Sequence, residues 1–274
     1  MSVEVLRKTS IKSDISIVIP IRNLEGWRVE NALSSIRQNI ETEVILSDFG
    51  SDEAYNQELE WLSDKYDVTH LYVKNVGAWS RGRANNIGIG RASGKIIIVI
   101  DGDIIIEKDV IRDTVEIIRS NVFVIRQPSF LSKSFRQGKI GFPDEYPLLK
   151  KEPESYVYPS FGAFIAAPRG AWFNLRGYDE RLSIWGSDDW EIRQRLITTR
   201  LREVIIGRGD RFDGESGIIP PKRDCVIYHQ WHISPSERLG VSGEVFEAQW
   251  FKNHGYFEEW GYIRNDDGWG MNGY

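Results

Sequence analysis

The 274-residue chain has one cysteine, Cys225. A single thiol cannot close an internal disulfide, so nothing in the chain asks for an oxidising compartment. It has no polybasic run, and a net charge of −5 gives no electrostatic footprint for nucleic acid, which is not expected as a partner. No apolar stretch approaches the roughly 20 residues of a membrane span, and the opening MSVEVLRKTSIKSD has no signal-peptide core. A cytoplasmic location with no membrane span is therefore expected. The Gly-Lys-Ser/Thr ending of a phosphate loop is missing, and no glycine fingerprint follows the first strand, so neither nucleotide-binding signature applies. What is present is 41% hydrophobic and 27% charged residues, enough to bury a proper core in a soluble globular protein. Ten tryptophans, many in the second half, are rings favoured where flat, partly apolar ligands such as sugars are held.

Residues 15–19, ISIVI, form a short apolar run that stops at Pro20, whose missing N–H ends a ladder. Trp27, Val29, Ala32, Leu33 and Ile36 then recur at helical spacing. Residues 43–47 read as a strand that breaks at DFGSDE, and Tyr55, Leu59, Leu62 and Tyr66 mark one helix face. Residues 69–73 are the next strand, and Ala84, Ile87 and Arg91 fit a helix running to a stop at Gly94. Five apolar residues, 96–100, come next, and Val110, Ile111, Thr114, Ile117 and Ile118 continue as a helix. Strands alternating with helices at these intervals predict an α/β fold with a mostly parallel, doubly wound sheet.

The stretch KIIIVIDGD organises that half. A continuous β-branched run is what a strand buried on both faces looks like, and it ends in Asp101-Gly102-Asp103. The carboxyl ends of such strands are where open α/β sheets bind ligands. Two acids around one small residue can hold a divalent cation and, through it, a diphosphate; Asp-Gly is also a common turn dipeptide. Two further strands end in polar groups on that edge, Pro20-Ile21-Arg22-Asn23 and Asp48-Phe49-Gly50-Ser51-Asp52, although Ser51 and Asp52 would also cap a helix. Before the central strand, GAWSRGRANNIGIG sets Arg81 and Arg83 among glycines, a reasonable environment for phosphates.

In this order, SIVIPIRN, VILSDFGSD and RGRANNIGIGRASGKIIIVIDGD resemble the nucleotide-sugar-binding half of GT-A glycosyltransferases, above all the large family-2 group. The resemblance covers about the first half of the chain and implies a Rossmann-like GT-A sheet flanked by helices in a single domain. In that family the acid ending the second strand reads the uracil or ribose. A helix carrying an arginine and Asn-x-Gly passes under the diphosphate, and a DxD motif carries the metal. The matching positions are Asp48, Arg83 with Asn86, and Asp101 with Asp103. Pro20, Arg22, Asn23, Arg81 and Gly102 complete the implied donor site. The family usually has two acids where this chain has Asp48-Phe49, which removes one contact to the base. The implied partner is a nucleotide-sugar donor, UDP-linked, and the implied cofactor is Mn²⁺ or Mg²⁺.

Residues 127–157 have weak periodicity and several prolines and read as a loop; residues 158–167 return as a strand. In Trp185-Gly186-Ser187-Asp188-Asp189-Trp190-Glu191, Ser187 is a good N-cap and the acids complement a helix dipole. A helix start facing a cleft also displays carboxylates, and an inverting glycosyl transfer needs one to deprotonate the acceptor hydroxyl. GYDERLSIWGSDDWE resembles the GFDExxxxWGGED segment of β-1,4-galactosyltransferases and chondroitin-type polymerases. That likeness implies Asp189 as the base and Asp188 as the acid that holds the acceptor, beside Trp185 and Gly186. Ser187 stands where those enzymes have Gly, and Asp188 where they have Glu. Retaining polypeptide GalNAc-transferases carry Asn at the base position, so Asp189 implies inversion. CVIYHQWH, residues 225–232, reads as a strand ending in two histidines, which would also suit plain aromatic packing. Imidazole suits manganese alongside carboxylates. Similarity to the YHxxH piece of the same enzymes implies His229 as a metal ligand with Asp103, His232 as runner-up, and Asp101 acting through water or ribose.

The tail carries Trp250, Phe251, Tyr256, Phe257, Trp260, Tyr262 and Trp269. It is expected to form a helix packing on the sheet, with an acceptor platform or a partner-protein contact as the sharper reading. NDDGWGMNGY reads as a loose end. The chain then divides into a nucleotide-sugar half (1–126), an acceptor and catalytic half (127–243) and an aromatic extension (244–274). The activity expected is metal-dependent, inverting transfer from a UDP-sugar to a hydroxyl of a carbohydrate or other acceptor. The alternatives are a retaining transferase of the same fold, a nucleotidyltransferase and a non-catalytic carbohydrate-binding protein. The lone glycine between Ile21 and the helix, Gly26, counts against the nucleotidyltransferase, and three intact acidic motifs count against the binding protein.

Overall fold

The apolar runs become strands, and the polar breaks after them gather along one edge. The computed structural model describes residues 2–74, 77–119, 121–151, 160–207, 218–234, 236–237, 240–260 and 264–270. In chain order the elements are β1 (Ser2–Arg7), β2 (Ile15–Ile21), α1 (Gly26–Ile36), β3 (Glu43–Asp48), α2 (Glu53–Tyr66), β4 (Thr69–Lys74) and α3 (Arg81–Arg91). There follow β5 (Ile96–Ile100), β6 (Ile104–Ile106), α4 (Val110–Ile118), β7 (Val122–Arg126), β8 (Ser129–Phe130) and α5 (Tyr146–Lys151). The rest are β9 (Phe164–Pro168), α6 (Arg169–Leu175), α7 (Asp188–Thr198), β10 (Arg202–Ile206), β11 (Ile227–His229) and α8 (Gly243–Trp260).

The main sheet has eight strands in the order β1-β4-β3-β2-β5-β9-β7-β10. Its heart, β4-β3-β2-β5, is parallel throughout, as helical crossovers require, so these carboxyl ends open on one side. Ile17, Val18 and Ile19 of β2 and Ile97, Ile98, Val99 and Ile100 of β5 are fully buried, which is why both read as unbroken apolar runs. The sheet is more mixed than the alternation implies: β9 runs antiparallel to both β5 and β7, and β1 edges the sheet antiparallel to β4. The direction of β9 matters for the site. Ile100 pairs with Phe164, and the Asp101 N–H donates to the Ala163 carbonyl at 3.1 Å, so residues 160–163 arrive beside the end of β5. Among the described residues, no helix is long and apolar enough to cross a membrane.

Five expectations need correction. Pro20 does not end β2, which runs on to Ile21. β5 pairs with β2 only as far as Val18 while β3 pairs to Ile21, so the missing N–H falls where one flank has no ladder to break. Residues 127–151 are more than a loop: β8 joins β6 and β11 in a second, three-stranded sheet. There Leu131, Ile140, Tyr146 and Leu149 pack with Ile105 and Tyr228. That core was hidden because two of its six buried residues, Ile105 and Tyr228, come from distant parts of the chain. The strand expected from residue 158 begins at Phe164, residues 152–159 lying outside the described ones. In the tail, α8 forms, but Asn253 and Trp250 meet residues 183–186, a loop, where the sequence pointed to the sheet. Residues 264–270 are also no loose end. Asn265 and Trp269 are buried, and Arg91 Nη1 donates to the Gly270 carbonyl at 2.7 Å. Tyr256, Phe257, Trp260 and Tyr262 lie outside the described side chains.

A buried ion pair ties α7 to the end of α6. Arg195 and Glu191 are both almost fully buried, and Arg195 Nη2 donates to Glu191 Oε2 at 2.8 Å. Arg195 also donates to the carbonyls of Leu175 and Gly177 at 2.9 and 2.7 Å. Burial pushes the Glu191 carboxyl up to about 7, against the pull of Arg195. Removing one partner strands the other charge, so Arg195→Ala is expected to lower the unfolding free energy by about 3–5 kcal/mol. Urea denaturation checks this; a loss below about 1 kcal/mol would be that of an exposed pair and would contradict it.

Candidate functional site

Strand register assembles the first group. β11 runs antiparallel to β6 with His229 opposite Ile104, the neighbour of Asp103. His229 Nε2 lies 3.7 Å and His232 Nε2 3.4 Å from the Asp103 carboxylate, and ligand atoms of all three fall within 4.8 Å of one another. Asp103 is buried, whereas each imidazole is partly exposed, so the group has an open side. Phe130 stacks on His229 at 4.8 Å between centroids. Gln230 braces the turn: its N–H and its Nε2 donate to the Asp103 carbonyl at 3.1 and 3.2 Å, and its Oε1 accepts from Asn31 at 2.8 Å. One carboxylate and two imidazoles are a donor set that first-row divalent ions accept, so these residues fit such a cation. Asp101 is not one of the three.

Instead, Asp101 belongs to a second group built around Arg81. Arg81 opens α3, whose N-terminus is capped by Ser80 Oγ accepting from the Arg83 N–H at 3.3 Å. Its Nε donates to Asp101 Oδ1 at 2.8 Å, its Nη1 to Asp188 Oδ2 at 2.8 Å, and its Nη2 to the Gly162 carbonyl. Burial works against the guanidinium charge, but Asp101 and Asp188 hold its pKa well above the ordinary value. Burial and the Asp103 charge raise the Asp101 carboxyl, against Arg81. Gly162 makes the approach feasible: a Cβ there would stand 2.9 Å from Asp189 Cβ and 3.1 Å from Arg81 Nη1. Gly162 leaves one signal in the sequence, a residue without a side chain between Phe161 and the start of an apolar strand.

Asp188 and Asp189 open α7 after Gly186 at φ 93° and Ser187 at φ 69°. Ser187 is not the cap its residue type suggests, and its side chain makes no capping hydrogen bond. A capping serine needs extended backbone, and this one is left-handed. Asp188 is held by Arg81. Asp189 accepts from the Trp190 N–H at 2.8 Å. Burial, and then the Asp188 charge, push the Asp189 carboxyl up to about 6, against Arg81. A carboxylate that titrates near neutrality is suited to accept a proton from a substrate. Trp185, 46% exposed, stacks on Phe246 at 4.8 Å.

The remaining candidates fall into two sets. Asn23, left-handed at φ 49°, accepts from the Asp52 N–H at 2.7 Å and donates to its carboxylate at 3.0 Å, lacing the loops after β2 and β3 together. Arg22 Nη1 donates to the Gly77 carbonyl at 2.8 Å. Asp48 is fully buried; its Oδ1 accepts from the Ser51 N–H at 2.8 Å, and its Oδ2 lies 3.6 Å from Nε2 of buried His70. Gly102 lets the strand end pack close, since a Cβ there would stand 2.8 Å from Leu24 Cδ2. Arg83 and Asn86 are spent on the segment leading to α7. Asn86 Oδ1 accepts from the Tyr178 N–H at 2.7 Å, its Nδ2 donates to the Tyr178 carbonyl at 2.9 Å, and Arg83 Nε donates to the Glu180 carbonyl at 2.9 Å.

Residues 16–128 match the family described as "Glycosyltransferase like family 2", and residues 150–214 match "N-terminal domain of galactosyltransferase". Among solved structures, the fold matches S. aureus TarS 1–349 in complex with UDP-GlcNAc at a TM-score of 0.58, with 17% identity over 86% of this chain and 64% of that one. It also matches the mannosyltransferase PcManGT from Pyrobaculum calidifontis, in complex with GDP-Man and Mn²⁺, at a TM-score of 0.54, with 16% identity over 81% of this chain and 58% of that one. The chain has the GT-A glycosyltransferase fold. An uncharacterized glycosyltransferase of Rickettsia bellii is 26% identical to the GT-A chain over 131 residues, 47% of this chain and 18% of its own length. Polypeptide N-acetylgalactosaminyltransferase 8 of Drosophila melanogaster is 26% identical over 206 residues, 66% of this chain and 35% of its own length. The GT-A chain thus spans only a fifth to about a third of these curated relatives. The two family segments divide much as the site does: Arg81, Asp101 and Asp103 lie in the first, Asp188 and Asp189 in the second.

Proposed function

We propose that this chain is a metal-dependent, inverting glycosyltransferase that moves a sugar from a UDP-sugar to an acceptor hydroxyl. The observation that carries this reading is the pair of hydrogen bonds that Arg81 donates, one to Asp101 at the end of β5 and one to Asp188 at the start of α7. One guanidinium joins the strand edge that would hold a diphosphate to the helix start that would present a base. Residues 1–126 then serve the donor, 127–243 the acceptor and catalysis, and 244–274 support the acceptor side.

Asp103, His229 and His232 would hold Mn²⁺ or Mg²⁺, which when bound neutralises charge developing on the departing diphosphate. Pro20, Arg22, Asn23, Asp48 and Gly102 shape the nucleoside end, and Arg83 and Asn86 act on the site through residues 178–180. Arg81 is a preorganised cation for the leaving group. Asp188, Trp185 and Gly186 hold the acceptor. Its hydroxyl oxygen bonds to the anomeric carbon as the bond from that carbon to the diphosphate oxygen breaks, and its proton passes to Asp189. Attack opposite the leaving group inverts the anomeric centre. Likeness to structures solved with UDP-GlcNAc, and with GDP-Man and Mn²⁺, supports a nucleotide-sugar donor.

The test is the product anomer. Incubation with Mn²⁺, α-linked UDP-sugars and aryl-glycoside acceptors should give a β-linked product by NMR coupling, whereas an α-linked product overturns inversion. A pH profile gives a second expectation. The base works ionised, and with the Asp189 carboxyl at about 6, kcat/KM should fall as pH drops through about 6, by about tenfold per unit below it. A flat profile down to about pH 4.5 would exclude a base with that raised pKa.

A further inference from the structure

Three of the four residues that lead into α7 have left-handed backbone: Ile184 at φ 64°, Gly186 at 93° and Ser187 at 69°. That conformation is strained for a serine and worse for a β-branched isoleucine, and it persists only where the surroundings over-determine it. α8 supplies much of that constraint. Asn253 is fully buried, and its Nδ2 donates to the carbonyls of Ser183, Trp185 and Gly186 at 3.0, 3.1 and 3.2 Å, two N–H groups shared among three acceptors. Gln249 Nε2 donates to Asn253 Oδ1 at 2.8 Å, which fixes the amide's orientation. One turn away, Trp250 lies over Gly186 so closely that a Cβ there would overlap its Cδ1. From the other side, the Trp79 carbonyl accepts from the Ile184 N–H at 2.7 Å. Asn253 also lines the same shallow hollow as Arg81, Trp185 and Asp188.

We propose that Asn253 is a positioning residue: by pinning the 183–187 turn it sets where Asp188 and Asp189 stand relative to Arg81. The C-terminal helix thereby governs the acceptor side of the site while leaving the nucleotide side alone. This rests on the transferase reading of Asp189. It also gives the aromatic extension a task that neither sheet packing nor partner docking supplies, since Trp250 and Phe246 bear on the turn itself.

Asn253→Asp is the sharp test, because it keeps the side chain's shape and turns two donors into an acceptor facing three carbonyls. Asn253→Ala removes the donors without the repulsion. With a UDP-sugar that the wild type turns over, kcat should fall about 100-fold in Asn253→Asp, as for a small misplacement of a reacting group, and by less in Asn253→Ala. The dissociation constant for UDP with Mn²⁺ should stay within about twofold, because the donor edge of the sheet is untouched. A folded Asn253→Asp with near wild-type kcat overturns the proposal. So does a parallel fall of kcat and UDP affinity, which general loosening of the fold would give. If Asn253→Asp does not fold, Asn253→Ala makes the same test without the added charge, and an unchanged kcat there is equally fatal. A wild type that transfers from no UDP-sugar removes the transferase reading and this inference together, so the wild-type assay separates the two failures.

Discussion

Asp189→Asn should lower sugar transfer by about 10²–10⁴-fold, the usual worth of a general base, while leaving UDP binding in the presence of Mn²⁺ unchanged. The substitution is nearly isosteric, and an amide oxygen can still accept from the Trp190 N–H that Asp189 now engages at 2.8 Å. The helix start therefore survives. What disappears is the group that can take the acceptor's proton, and with it the acidic limb of the pH profile. Hydrolysis of the donor by water should fall as well, because water needs the same base. Asp188→Asn gives a contrasting result. It weakens the tie to Arg81 and the hold on the acceptor, so KM for the acceptor should rise more than kcat falls. Near-full transfer by Asp189→Asn would show that the base lies elsewhere.

Asp103→Ala should abolish metal-dependent donor binding, reducing UDP affinity in Mn²⁺ by more than the about 10–100-fold that losing even an outer-shell partner typically costs. Asp103 is the one carboxylate in a group whose other members are imidazoles, so its loss removes both a ligand and the local negative charge. Mn²⁺ titration by electron paramagnetic resonance checks this without any turnover. His229→Ala should act similarly, and comparison with His232→Ala tells which imidazole matters more. Unchanged Mn²⁺ affinity in Asp103→Ala would mean that the group holds no cation.

Much of this was legible in the chain, and what was not has common physical causes. KIIIVIDGD announced a buried strand with acids at its carboxyl end because burial on both faces leaves an unbroken apolar run, and β5 is that strand. The Trp-Gly-Ser-Asp-Asp segment announced a helix start with two carboxylates, and α7 begins at Asp188. Residue type misled where backbone conformation decides: Ser187 is left-handed and caps nothing, and Pro20 lies inside β2. Residue pairing was the larger blind spot. Arg81 and Arg83 are equivalent by spacing, but only Arg81 bridges Asp101 and Asp188, while Arg83 and Asn86 brace residues 178–180. Gly162 and Asn253 act through contacts with residues far along the chain, and such contacts leave no local periodicity to read.

The central claim, that the β5 edge binds a nucleoside diphosphate through a divalent cation, is tested most directly by calorimetric titration of UDP, GDP and CDP with and without Mn²⁺. UDP should bind, binding should require the metal, and GDP and CDP should bind more weakly. Absence of binding by all three nucleotides, with the metal present, would contradict it, and the carbohydrate-binding alternative would then take its place.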